Sequence, residues 1–180
     1  MKFIQLFFRW LTTQHPEKRI RYNVQLMLFC QGKGQKRLRK YFQRKIYYNH
    51  SCDISCTSKI DKSVTFHHPL GIIIGDKAVI SENVRIYQQV TIGSKMVGNE
   101  MPVIKENVKI YAGAKLLGGI TIGAGSIIGA NSTITKSVPE RHLAVGYNRI
   151  IPLDEELTVQ AVSNNEVVLN NKATDAALLL

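Results

Sequence analysis

Residues 104–139 read IKENVKIYAGAKLLGGITIGAGSIIGANSTITKSVP. Within this stretch Ile104, Ile110, Leu116, Ile122, Ile128 and Ile134 recur every six residues without a slip. An amphipathic helix returns its apolar face every three or four residues, and a half-buried strand every two. A strict period of six instead predicts a parallel β-helix built from hexapeptide repeats. One aliphatic residue per hexad turns inward and small residues fill the corners. A single coil cannot bury its own inner face, so stacked coils supply the core.

The beat continues toward the N-terminus. Ile74, Ile80, Ile86 and Ile92 keep the period, and so do Ile54, Ile60, Phe66 and Ile72, but the two runs are out of phase by two residues. The slip falls within FHHPLGIIIG, residues 66–75, which holds the only His-His pair. A second break separates Ile92 from Ile104, where Ser94 to Val103 reads as an excursion from the coil. Insertions in solenoids collect on one face, often the binding face. Both breaks are therefore candidate functional segments.

The chain of 180 residues divides by charge. Residues 1–50 carry twelve Lys or Arg against one acid, Glu17, and so hold the whole net excess of +11; residues 51–180 sum to zero. We read 1–50 as a basic, mostly helical region, 51–139 as the solenoid and 140–180 as a C-terminal extension whose tail from Asp154 is acidic at first and then patternless. In the first segment Phe3, Ile4, Leu6, Phe7, Phe8, Trp10 and Leu11 surround a narrow polar stripe. Such a helix docks on a protein core or lies in a bilayer interface, and each cation near an anionic membrane contributes about 1 kcal/mol. Peripheral contact with an inner membrane and a cap on the first coil both stay open. A basic arm also suits nucleic acid, but no zinc-finger spacing or RNA-binding aromatic motif accompanies it, and nucleic acid is not expected as a partner. No run reaches the roughly 18 apolar residues of a spanning helix, and no cleavage site follows the first segment, so a cytoplasmic location is expected. Cys30, Cys52 and Cys56 are odd in number and are read as free thiols of a reducing compartment.

His67 and His68 are the residues best placed for chemistry. From Asp53 to Ile150 the chain resembles the left-handed β-helix acetyltransferases, in the branch that holds serine O-acetyltransferases and bacterial polysaccharide O-acetyltransferases. The resemblance is carried by VTFHHPLGIIIGDKAVI (64–80), NVRIYQQVTIGS (83–94) and VKIYAGAKLLGGITIGAGSIIGANSTI (108–134), followed by Gly146. It implies an all-β solenoid of left-handed coils, an exception to the right-handed crossover rule, with acetyl-CoA as co-substrate and no metal. It implies that His68 deprotonates the acceptor hydroxyl and that Asp53, fifteen residues upstream, orients its ring, as a carboxylate does for a catalytic imidazole. His67 assists or shapes the pocket. Gly93, Ser94, Ala112, Gly113 and Ala130 match positions along which the pantetheine arm lies; Lys136 and Arg149 are phosphate candidates. Trimers are the rule in the family, with each site completed by a neighbour.

The departures bear on the acceptor. Serine acetyltransferases carry Asp-Arg-His-Pro in the second excursion, where this chain has Asn99-Glu100-Met101-Pro102. The cation that would pair with a serine carboxylate is gone from that loop. The N-terminal region is also short and basic, where serine acetyltransferases have a long helical domain, and a basic, amphipathic N-terminus suits a polymer or lipid-linked glycan made at the inner membrane. A saccharide acceptor, a hydroxyl of a surface polysaccharide or its precursor, is therefore the expectation, with serine as the alternative. A metal hydratase on the same scaffold would need three histidines, and only two lie in the coils. A scaffold without activity is the third reading.

Overall fold

The computed structural model describes residues 3–95 and 98–153. The C-terminal tail, whose role the sequence leaves open, lies outside the described residues. Three helices come first: α1 (Phe3–Thr12), α2 (Pro16–Gly32) and α3 (Lys36–His50). Pro16 opens α2 in its first turn, where a missing N–H costs nothing. Gly34, at φ +67°, turns the chain between α2 and α3, and Ser51 ends α3 in the left-handed region. Ile20, Val24, Leu26, Met27 and Cys30 of α2 are buried with Phe42 and Ile46 of α3. Trp10 of α1 meets Phe42 edge-on at 5.7 Å. Gln25 Nε2 donates to the Lys62 carbonyl at 2.8 Å and ties α2 to the first coil.

The rest is a solenoid of three flat faces. The first face stacks β1 (Asp53–Ile54), β4 (Ile73–Ile74), β7 (Thr91–Gly93), β10 (Lys115–Leu117) and β13 (Thr133–Ile134). The second stacks β2 (Lys59–Ile60), β5 (Val79–Ile80), β8 (Val103–Ile104) and β11 (Thr121–Ile122). The third stacks β3 (Thr65–Phe66), β6 (Arg85–Ile86), β9 (Lys109–Ile110), β12 (Ile127–Ile128) and β14 (His142–Val145), closed by the antiparallel β15 (Arg149–Pro152). The architecture is the left-handed β-helix of the sequence reading. Parallel pairing runs on past Pro139, since Leu143 still stacks on Ile127. The inward residues Ile74, Ile80, Ile86, Ile92, Ile104, Ile110, Leu116, Ile122, Ile128 and Ile134 are all buried.

The register explains the two breaks. Later coils step by eighteen residues, as when Thr121 pairs with Val103. The first step is twenty: Asp53 pairs with Ile73, Lys59 with Val79 and Thr65 with Arg85. Two extra residues thus sit in the corner between β3 and β4, and Ile72, buried, belongs to that corner and not to a strand. The excursion after Gly93 lengthens a step to twenty-four, as in Val79 to Val103. That adds one whole hexad, so the phase of Ile92 survives into Ile104.

Candidate functional site

The corner of residues 67–72 lies where the third face turns into the first. His68 takes φ +46°, a conformation that costs a non-glycine residue about 1–3 kcal/mol and persists where its surroundings enforce it. The Leu70 amide donates to the His68 carbonyl at 2.7 Å and the Gln89 amide to the Leu70 carbonyl at 2.8 Å. Pro69 is buried beneath the turn while His68 is exposed. The left-handed turn thus presents the His68 ring to solvent.

Glu17, in the first turn of α2, closes the corner from above. One carboxylate oxygen accepts from the His68 backbone N–H at 3.4 Å and lies 3.5 Å from His67 Nδ1. His67 Nε2 lies 3.2 Å from Thr65 Oγ1. A carboxylate facing Nδ1 favours the tautomer with the proton there, leaving Nε2 to accept from the hydroxyl. The His67 ring stacks on Tyr87 at 4.9 Å, and Tyr87 stacks on Tyr111 at 5.0 Å. Burial, then the neighbouring Tyr87, raises the Tyr111 pKa, which keeps that phenol neutral. Sequence reasoning did not single out Glu17. Its signal was available, since it is the one acid among the first fifty residues.

Asp53 lies one coil below, at the start of β1. Its amide donates to the Ile72 carbonyl at 2.9 Å, so the slipped corner brings its backbone beside the segment that carries His68. Its side chain is exposed. Among the described residues no hydrogen bond joins the Asp53 carboxylate to either histidine ring.

The residues expected along acetyl-CoA fall on two edges. Ala112, Gly113 and Ala130 share the histidine edge, where Gly113 N–H donates to Gln88 O and Asn131 N–H to Ala112 O, both within 2.9 Å. Gly93, Ser94 and Lys136 lie on the edge between the first and second faces. There Lys95 Nζ donates to the Thr135 carbonyl at 3.0 Å. The Lys95 stem crosses Gly118, which sits at φ +91°, so closely that a Cβ there would lie 2.9 Å from Lys95 Cγ. A hollow of about 430 Å³ opens between Lys95, Glu100, Gly118, Thr135 and Lys136. Arg149 is exposed on β15, at the far end of the solenoid from His68.

Two family models match the chain: bacterial transferase hexapeptide (six repeats) over residues 101–136, and hexapeptide repeat of succinyl-transferase over 62–88. The serine acetyltransferase of Salmonella typhimurium is 39% identical over 117 residues, covering 64% of this chain and 43% of that protein. The serine acetyltransferase of Haemophilus influenzae is 39% identical over 127 residues, covering 69% and 48%. The chain thus spans less than half the length of these curated relatives. Among solved structures, a truncated serine acetyltransferase apoenzyme superposes with a TM-score of 0.71 at 30% identity, covering 83% of this chain and 67% of that one. A serine acetyltransferase complex with CoA gives 0.70 at 34% identity, covering 75% and 57%. These relatives overturn the expectation of a surface-polysaccharide acceptor. That expectation rested on what one short loop lacks and on the short, basic N-terminal region, and the agreement with these relatives outweighs both. The chain belongs to the hexapeptide-repeat acetyltransferases, as a left-handed β-helix of the serine acetyltransferase type.

Proposed function

We propose that this chain transfers the acetyl group of acetyl-CoA to the hydroxyl of serine. The observation that carries the reading is the exposed His68, held in a left-handed turn at the slipped corner of a chain that is 39% identical over 117 residues to a serine acetyltransferase. His68 takes the proton from the serine hydroxyl as the oxygen attacks the thioester carbonyl. A general base near neutral pKa contributes about 10²–10⁴-fold. Backbone N–H groups of the groove stabilise the tetrahedral oxyanion. The C–S bond then breaks, and the imidazolium returns the proton to the departing CoA sulfur, so atoms and charge balance. In this scheme the exposed Asp53 carboxylate reaches the His68 ring only by a turn of its side chain when the acceptor binds, and His67, held by Glu17, shapes the acceptor pocket. Thiol release from acetyl-CoA that depends on L-serine tests the reading; release indifferent to serine contradicts it.

The acetyl-CoA path supports a trimer. Ala112, Gly113 and Ala130 lie on one edge, while Gly93, Ser94, Lys136 and the Lys95 hollow lie on the next. A neighbouring copy that set its second edge against the histidine edge of this one would join the two halves around one pantetheine arm. Sedimentation equilibrium at three times the chain mass is the expected result.

Contact of the N-terminal helices with an anionic bilayer is favoured by α1. Ile4, Phe8 and Leu11 share one helical face and are 78%, 64% and 59% exposed, beside the basic surplus of residues 1–50. An apolar stripe flanked by cations suits a headgroup interface. Co-sedimentation with phosphatidylglycerol vesicles, not with phosphatidylcholine, is expected, and the triple variant Ile4→Ser, Phe8→Ser, Leu11→Ser should abolish it. Equal binding to both vesicles counts against the contact, and so does a triple variant that no longer sediments at the wild-type mass, which would assign the face to subunit packing.

A further inference from the structure

The third face carries an unusual outward column. Thr65 stacks on Arg85, and Arg85 on Lys109, as direct register partners of adjacent coils. Neighbouring strands lie about 4.8 Å apart, so two cations stand side by side. Like charges directly opposite on a sheet are destabilising. No carboxylate offsets them: among the described residues no ion pair within 4.0 Å involves Arg85 or Lys109. Glu82 and Glu106, the acids nearest in sequence, sit on the preceding corner and make no such contact. The cost is visible in Lys109, whose pKa is lowered, chiefly by burial and then by Arg85.

These cations border a hollow of about 420 Å³ lined by Ser63, Thr65, Asn83, Arg85, Asn107 and Lys109. Asn83 and Asn107 both adopt positive φ, 57° and 60°, at the corner that feeds the two basic strands. Every lining residue is polar, with hydroxyl and amide groups around the paired cations. The hollow adjoins the histidine corner, because Thr65 lines it and also contacts His67 Nε2 at 3.2 Å. Two residues further along, just past the ends of the same strands, His67, Tyr87 and Tyr111 form the stacked ladder.

We propose that Arg85 and Lys109 form an anion-binding site beside the histidine corner, which takes a carboxylate or phosphate group of a ligand bound there. A guanidinium reads a planar carboxylate or a phosphate through paired N–H donors, and an ammonium adds a point charge. The anion has two sources. One is the carboxylate of the amino-acid acceptor, which the second excursion, with Glu100 and Met101, is not equipped to hold. The other is a phosphate of CoA. The carboxylate arm rests on the serine reading; the site itself does not.

The test compares wild type with Arg85→Gln, Lys109→Gln and the double variant. Inorganic phosphate, set against chloride at equal ionic strength, should raise the melting temperature of wild type through binding to the native state, and the double variant should lose that rise. This arm needs no activity, so it decides the site even where the acceptor is misassigned. In steady state a carboxylate source gives at least a tenfold rise in KM for L-serine in the double variant, with KM for acetyl-CoA unchanged. A phosphate source gives the reverse, with weaker binding of CoA and an unaltered affinity for 3′-dephospho-CoA. Far-ultraviolet circular dichroism confirms that the variants fold. Phosphate stabilisation that is absent from wild type, or equal in the double variant, overturns the proposal.

Discussion

One oxygen of Glu17 stands 3.5 Å from His67 Nδ1 and 3.4 Å from the His68 amide. A single carboxylate on α2 thereby holds both members of the histidine pair, one by its ring and one by its backbone. The helical region thus touches the candidate site and is more than a lid on the first coil. Glu17→Ala removes both interactions, whereas Glu17→Gln keeps an oxygen to accept from the His68 amide. We expect Glu17→Ala to lower kcat three- to tenfold, the scale of one weak hydrogen bond of about 1 kcal/mol, with KM for acetyl-CoA unchanged. Glu17→Gln should recover most of the loss. Hydrogen exchange should rise at residues 67–71 in the alanine variant alone. Identical exchange and kcat in all three proteins would remove Glu17 from the site.

Gly123 tests the packing of the last coils. A Cβ there would stand 2.5 Å from the Pro139 carbonyl carbon and 2.7 Å from Glu140 Cα, both backbone atoms that cannot swing aside. Gly123→Ala should cost about 1–3 kcal/mol, the usual price of overpacking. Gly32→Ala, where a Cβ meets nothing within 4 Å among the described residues, should be neutral or stabilising. Urea unfolding of the two variants beside wild type distinguishes them; equal midpoints would contradict the tight approach at Gly123.

His50 predicts a loss of stability in mild acid. It is buried at the end of α3, and its Nε2 has no partner among the described residues. Burial, then the positive charge of Arg19, lowers its pKa. The sign follows from linkage: the unfolded chain takes up a proton as pH falls below about 6.5, while the folded chain resists until its lower pKa. Stability is therefore full above pH 6.5 and declines toward the folded pKa. Denaturant midpoints at pH 7.5 and 5.5 should differ less for His50→Leu than for wild type. A difference as large in the variant would assign the acid loss elsewhere.

How much was legible in the sequence depends on which residues stack. The inward positions from Ile74 to Ile134 announce themselves by period alone, because each must be aliphatic whatever lies above it. The slip at the His-His pair was also readable, and it marks the corner where the coil step is twenty residues. What the period hides is the outward register. Arg85 stands between Thr65, twenty residues before it, and Lys109, twenty-four after it, and neither step is the eighteen a regular coil suggests. Glu17 was hidden for another reason: it reaches His68 across 51 residues of chain and a change from helix to coil. The acceptor was misread because the missing Arg and His of one loop were weighed without the faces around it.

The central claim is that His68 strips the acceptor hydroxyl of its proton while acetyl-CoA lies alongside. Its most direct test is the initial rate of CoA thiol release with L-serine for wild type and His68→Ala, with the assembly state of each checked by sedimentation. The account predicts serine-dependent release that falls by about 10²-fold or more in the variant, with the assembly unchanged. A His68→Ala protein that assembles normally and keeps the wild-type serine-dependent rate would contradict it.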